Sequence, residues 1–348
     1  MQTNQHFCYK HSSGEDIFLF LLSNAQNSRI YISNYGAIVQ SFMIMRPDGS
    51  QNDIVLGFEK MEEYLSPQYL KHYPWFGCAI GRYGNRIGNA SFQIDGVIHR
   101  LSKNIGNDQL HGGHSGFDKK IWKMVSHSPS LLELQYTSPD GEEGYPGNLL
   151  VTLRYHLSDS NEFSYEYIAT TDKPTAVNLT HHGYFNLDNG TGTIEEHEVE
   201  IKASVILEQD NRLVATGNFV PVKNTYFDFN QIRKINSAWN KDSGFDQSFV
   251  IDNMVKDLSL VATVISSRSA TKMEVFSTEP VVHFYTGKWI PSLRGKNGTE
   301  YGPFSGFCLE TQVHPNAINI PHFPNTVLRP GETYHHKTMY RLSQVVEK

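Results

Sequence analysis

Apolar and polar residues alternate at every second position through much of this chain, and turn signals break the alternation at short intervals. It runs through Leu132-Glu-Leu-Gln-Tyr136, Phe163-Ser-Tyr-Glu-Tyr167, Val199-Glu-Ile-Lys-Ala-Ser-Val205 and Met273-Glu-Val-Phe276. Successive side chains of a strand point to opposite faces, so each run reads as a strand with one face buried and one wet. Pro139-Asp-Gly141, Asp188-Asn-Gly190, Ala215-Thr-Gly217 and Arg329-Pro-Gly331 read as turns between strands. Ser91-Phe-Gln-Ile-Asp95-Gly96-Val-Ile-His-Arg-Leu101 reads as a hairpin about an Asp-Gly turn. Strand-plus-turn units of about 11 residues would give on the order of 30 strands.

Helical periodicity is scarce. Phe58-Glu-Lys-Met-Glu-Glu-Tyr-Leu65 reads as a short helix, and Asn230-Gln-Ile-Arg-Lys-Ile235 as a turn or two more. Neither alternates with strands as the crossover helices of a parallel sheet do. The expected fold is therefore all-β, a large antiparallel β-sandwich with few short helices. No Pro-rich, Gly/Ser-rich or charged run divides the 348 residues, which predicts one domain over 1–348. A chain of this length can bury about three quarters of its unfolded surface, enough to hold polar groups rigidly without disulfides.

Thirty basic against 36 acidic side chains leave a net charge of -6, with no charged block along the chain. That argues against nucleic acid, polyanion or anionic membrane as the main partner. Cys8, Cys78 and Cys308 lack the spacing of a zinc site or a disulfide framework and read as reduced packing residues. The polar N-terminus and the short apolar run Ile17-Phe-Leu-Phe-Leu-Leu22 fit neither a signal peptide nor a membrane span, so the expected compartment is the cytoplasm. Nothing here selects between a monomer and a homodimer. Aromatic residues at 12% and 16 histidines offer flat apolar faces and neutral hydrogen-bonding rings, which suit sugars, although an all-β core also draws aromatics.

Three distant stretches carry the candidate chemistry. Glu310 lies in Gly306-Phe-Cys-Leu-Glu310-Thr-Gln-Val-His314-Pro315, a run that reads as a buried strand. Burial raises a carboxyl pKa toward the range a general base needs, although a buried Glu tied to donors is the bland alternative. In Thr175-Ala-Val-Asn178-Leu-Thr-His181-His182-Gly-Tyr184-Phe-Asn186-Leu, the two adjacent imidazoles must point to opposite faces of a strand. One can line a cleft while the other packs. Gly81-Arg82-Tyr-Gly84-Asn85-Arg86-Ile-Gly88 holds three glycines around two arginines. No helix pattern follows, so a nucleotide phosphate loop is rejected. Arg86 reads as a fork onto hydroxyls or a carboxylate, and Arg82 as a surface or structural arginine.

Seven segments in order resemble the aldose 1-epimerase (galactose mutarotase) family. They are Gly81-Arg-Tyr-Gly-Asn85-Arg86-Ile, Leu110-His111-Gly-Gly-His-Ser-Gly-Phe-Asp118, Val177-Asn-Leu-Thr-His181-His182-Gly-Tyr-Phe-Asn186-Leu, Asp246-Gln-Ser-Phe249, Phe284-Tyr-Thr-Gly287, Phe307-Cys-Leu-Glu310-Thr-Gln and Phe323-Pro-Asn-Thr-Val-Leu-Arg-Pro-Gly-Glu332. The resemblance implies a cofactor-free and metal-free β-supersandwich that interconverts the α and β anomers of free hexoses. It implies Glu310 as general base and His182 as general acid, on either side of the sugar ring. Asn85, Arg86, His111, Asp246, His283 and His181 would bind substrate.

Departures from the family pattern also stand out. His181 occupies a position often held by Asn, and His283 one usually held by Gln. Gln247 stands where His is common, and Lys288-Trp289 replaces a more usual Asn-Phe. All are expected at or beside the sugar pocket, where they would affect hydroxyl preference. Two other functions compete. A non-catalytic carbohydrate-binding sandwich would not need an acid opposite a base, and a hexose 6-phosphate epimerase would need more Arg or Lys than Arg86 in the cleft.

Overall fold

The computed structural model describes residues 4–46, 48–239, 243–255 and 257–345. Three large sheets dominate. A nine-stranded sheet runs in the order Lys123–His127, Leu131–Ser138, Leu149–Leu157, Glu162–Thr171, Tyr334–Gln344, Thr271–Ser277, Ser259–Ser266, Glu198–Ile201 and Arg233–Lys234. An N-terminal sheet joins Gln5–Lys10, Asp16–Ser23, Arg29–Ser33, Val39–Met45 and Gln51–Asp53. A third runs Ala215–Pro221, Val205–Gln209, Asp246–Val250, Val281–Tyr285 and Cys308–Gln312. The ladders within these sheets are antiparallel, as the alternation predicts.

One continuous core fills the space between the nine-stranded sheet and the other two. Leu149, Val151, Leu153 and Tyr155 face it from the first, Phe20, Ile30 and Phe42 from the second, and Phe249, Phe284 and Leu309 from the third. The Asp95-Gly96 hairpin forms as expected, with Ile94 opposite Val97 and both turn residues at positive φ, 50° and 83°.

The chain departs from the expected elements in four places. Val199–Val205 is not one strand: Glu198–Ile201 belongs to the nine-stranded sheet and Val205–Gln209 to the third. Between them the Ala203 N–H donates to the Ile201 carbonyl at 2.9 Å, a tight turn by which the chain changes sheets. Ala215-Thr-Gly217 is not a turn but the start of a strand; the chain reverses just before it, where the Val214 N–H donates to the Asp210 carboxylate at 3.0 Å. The region from Phe58 forms a 3-10 turn at Met61–Leu65 and then an α-helix at Pro67–His72, which Pro67 opens and the Ser66 hydroxyl caps by accepting from the Tyr69 N–H at 3.3 Å. Asn230–Ile235 holds a two-residue strand at Arg233–Lys234, which pairs with Glu198–Ile201, and a 3-10 turn follows at Ile235–Ala238. Among the described residues no helix is long and apolar enough to cross a membrane.

Candidate active site

Cross-strand register places the chemistry. In the third sheet Ser248 faces His283 and His283 faces Glu310, while Asp246, Tyr285 and Cys308 form the next row. Side chains two apart share a face, so these six groups stand together on the side away from the core. Phe249, Val282, Phe284 and Leu309 take the other side. Glu310 can thus be almost fully buried and still face a cavity, because a second layer covers it.

That layer brings the remaining groups. Thr180–His182 pairs with Cys78–Ile80, with His182 opposite Cys78. The His182 ring stacks on Trp75 at 6.0 Å and meets His111 edge-on at 5.2 Å. Arg86–Ile87 pairs with Gln109–Leu110, and this two-stranded ribbon carries Asn85 and His111 at its end. The His111 N–H donates to the Asn85 carbonyl at 3.1 Å, and the Asn85 N–H donates back to His111 Nδ1 at 3.2 Å. The loop closes tightly behind: a Cβ on Gly112, where φ is +84°, would lie 1.9 Å from the Gly81 carbonyl oxygen. Only glycine fits there.

The result is a cavity of about 550 Å³ lined by Asn85, Arg86, His111, His182, Asp246, His283 and Glu310. His182 Nε2 lies 3.6 Å from Glu310 Oε1. The two groups stand side by side, one from each layer. Burial pushes the Glu310 carboxyl up to about 7, with Asp246 adding to the rise and His283 and Arg86 opposing it. Burial pulls His182 down to about 3 and His111 well below the usual imidazole range. The resting pair therefore favours an uncharged imidazole beside a carboxyl that titrates near neutrality. Arg86 Nε and Glu310 Oε2 are buried without a hydrogen-bond partner, a cost that ligand hydroxyls would relieve.

His111, His182 and Glu310 each present one ligand atom within 4.8 Å of the others, the composition of a two-histidine, one-carboxylate metal set. The tautomer of His111 speaks against that use. An amide N–H can only donate, so Nδ1 keeps its lone pair for Asn85, and the ring hydrogen resides on Nε2. His111 is thereby a hydrogen-bond donor and not a metal ligand.

Two positions expected at the pocket, His181 and Gln247, fall elsewhere, while Arg82 takes the structural role expected of it. His181 points into the core, stacked on Tyr165 at 5.3 Å and edge-on to Tyr155 at 6.1 Å, because strand alternation turns it away from His182. Gln247 also faces inward and donates to the Leu207 carbonyl. Arg82 is buried and structural, bonded to the Ser138, Pro139, Pro146 and Gly147 carbonyls. Trp289 does reach the mouth of the cavity, 69% exposed, with the Lys288 ammonium 4.8 Å above its ring. Sequence reasoning passed over Trp75, Tyr184 and Tyr285, which complete the walls. Trp75 sits at φ 57°, within a segment rich in aromatic residues and proline, and that composition was its available signal.

Comparison with known proteins identifies the family. The family model described as aldose 1-epimerase matches residues 19–341. The galactose mutarotase of Sus scrofa is 40% identical over 321 residues, 90% of this chain and 91% of the relative. The aldose 1-epimerase of Escherichia coli K12 is 33% identical over 337 residues, 94% of this chain and 96% of the relative. A solved structure of an aldose epimerase homologue from C. elegans superposes with a TM-score of 0.87 at 29% identity, covering 94% of this chain and 99% of that one. On the family model and on these relatives, the chain belongs to the aldose 1-epimerase family.

Proposed function

We propose that this protein is an aldose 1-epimerase that interconverts the α and β anomers of free hexoses such as galactose and glucose. The observation that carries the reading is the 3.6 Å approach of His182 Nε2 to Glu310 Oε1 inside a cavity also lined by Arg86, His111 and Asp246. The anomeric oxygen and the ring oxygen of a pyranose are borne by one carbon. Two groups side by side can therefore reach both.

In ring opening, the Glu310 carboxylate takes the proton of the anomeric hydroxyl while the His182 imidazolium gives one to the ring oxygen. The bond from C1 to the ring oxygen breaks and its electron pair stays on that oxygen, leaving an open-chain aldehyde. Rotation about C1-C2 presents the other carbonyl face. On closure His182 takes the proton back from the attacking hydroxyl, and Glu310 returns its proton to the carbonyl oxygen.

The proton inventory supports this scheme. Carboxylate plus imidazolium, and carboxyl plus imidazole, hold the same one proton between them. The second arrangement, which burial favours at rest, is the one that follows ring opening. The cycle thus needs no proton from solvent. His111 would donate to a sugar oxygen, Arg86 would fork onto hydroxyls, and Asn85 would hold both in place. Asp246 would accept from a hydroxyl. The walls of Trp75 and Tyr285 suit the apolar face of a pyranose.

Arg86 is the one Arg or Lys among the described lining residues, too little charge for a phosphate dianion, so free hexoses are the proposed substrates. We assign residues 1–348 to one cofactor-independent domain. Three unpaired cysteines suit the reducing cytoplasm. Exchange NMR of the two anomeric protons tests the assignment. Enzyme-dependent exchange in galactose or glucose, exceeding that in the 6-phosphates, is expected; exchange in the phosphates alone would reverse it.

A further inference from the structure

His283 occupies a position where the family resemblance leads one to expect a glutamine and a direct contact with sugar. Its hydrogen bonds point to another role. Nε2 lies 2.8 Å from Asp246 Oδ1, and Nδ1 lies 2.9 Å from Ser248 Oγ. An ionised carboxylate only accepts, so Nε2 carries a hydrogen and donates it to Asp246. In the neutral ring Nδ1 then accepts from the Ser248 hydroxyl. Both nitrogens are consumed, and the ring offers the cavity only carbon edges.

The three residues come from two adjacent strands and stand on one sheet face, with Ser248 in register with His283. Ser248 and His283 are buried at 1% and 3% exposure, which keeps the chain of hydrogen bonds dry. The Asp246 side chain is partly buried, 25% exposed, and desolvation alone would push its carboxyl toward the neutral form. The direction found is the opposite. Desolvation acts to raise Asp246, yet the hydrogen bond from His283 holds it below the usual carboxylate range.

We propose that His283 is a positioning residue that contacts no sugar hydroxyl and instead fixes Asp246 as an ionised, oriented acceptor for one. The sequence Ser248, His283, Asp246 resembles a hydrolytic triad only in composition. Ser248 does not line the cavity and serves as an anchor. This proposal rests on the reading of the cavity as a hexose site and says which group there reads a hydroxyl directly and which acts through it.

A double-mutant cycle tests it: wild type, His283→Ala, Asp246→Asn and the double variant. Galactose affinity is read by calorimetry, and kcat and KM by polarimetry. Asp246→Asn should weaken binding about tenfold or more, and His283→Ala about three- to tenfold, chiefly in KM. The double variant should match Asp246→Asn within about twofold. Among the monodeoxygalactoses, the sugar that Asp246→Asn no longer discriminates should be the one that His283→Ala also ceases to discriminate.

Losses that multiply in the double variant would overturn the proposal, because His283 would then hold a hydroxyl of its own. Should His283→Ala fail to fold, Ser248→Ala serves in its place, with a smaller loss that vanishes when Asp246 is already Asn; persistence of that loss would contradict the chain. A wild type that binds galactose without exchanging anomers would contradict the enzyme assignment and leave the calorimetric cycle to judge His283. A wild type that binds no hexose would end both.

Discussion

His182 Nε2 approaches Glu310 Oε1 to 3.6 Å, although the two residues come from strands of different sheets and stand 128 positions apart in the chain. Neither strand has a reason to place an ionisable group in the interior on its own account. In the proposed scheme they would serve as the proton donor and the proton acceptor for one carbon's two oxygens.

Removing the acid while keeping its shape should show this coupling. His182→Asn is expected to lower kcat by about 10²- to 10⁴-fold, the usual worth of one positioned acid or base. Combined with Glu310→Gln, the further loss should be far less than the product of the two, since the groups act as a unit. Multiplicative losses would show that they act independently.

The pH profile should carry the signature of Glu310. With its carboxyl pushed up to about 7 and His182 pulled down to about 3, the pair loses the one proton that ring opening moves as pH rises through neutrality. The basic limb of kcat/KM should fall near that pH. Asp246 contributes to the rise, so Asp246→Asn should move the limb to lower pH even as overall activity drops. A limb that stays in place would exclude Glu310 as its source.

Buried histidines make the fold acid-sensitive. Burial lowers His181 and His182 to about 3 and His197 and His314 to about 4, and lowers His111 as well. Unfolded, each would bind a proton near 6.5, so each contributes stability that is complete above that pH and is lost as pH falls toward the folded value. Glu310 has the opposite sign, its contribution being present below about 4.5 and lost as pH rises through about 7. Between these limits the histidines outnumber it, and each contributes up to about 1.4 kcal/mol per pH unit. Denaturant unfolding at pH 7, 6 and 5 should show stability falling at each step.

The buried Lys296 tests how the N-terminal sheet is held to the rest of the fold. Its ammonium donates to Asp53 Oδ2 at 2.6 Å and to the Gln40 carbonyl at 2.9 Å, tying the loop after Leu293–Arg294 to the N-terminal sheet. Lys296→Met leaves Asp53 buried beside an apolar group, and should cost about 3–5 kcal/mol in denaturant unfolding. A cost under about 1 kcal/mol would mean that the Ser41 hydroxyl and Phe42 N–H satisfy Asp53 without it.

Much of this was legible in the chain because period two is a direct consequence of pleating. Alternation alone identified the strands that line the core, and it required His181 and His182 to diverge. It could not say which of them faces the cavity, since that depends on which sheet covers each side. The same ambiguity hid Gln247, whose neighbour Asp246 does face the cavity. The break at Lys202-Ala203-Ser204 was invisible because the pattern continues across it while the partner strands change. The helix at Pro67–His72 had a readable signal in Ser66-Pro67, a cap followed by a first-turn proline. The hydrogen bonds that commit both nitrogens of His283 arise only from cross-strand register, and no linear pattern encodes them.

The optical rotation of freshly dissolved α-D-galactose tests the central claim most directly. Wild type should bring it to equilibrium far faster than buffer, and Glu310→Gln, with its fold confirmed by circular dichroism, should lose about 10²-fold or more of that acceleration. Equal acceleration by the two proteins would contradict the account.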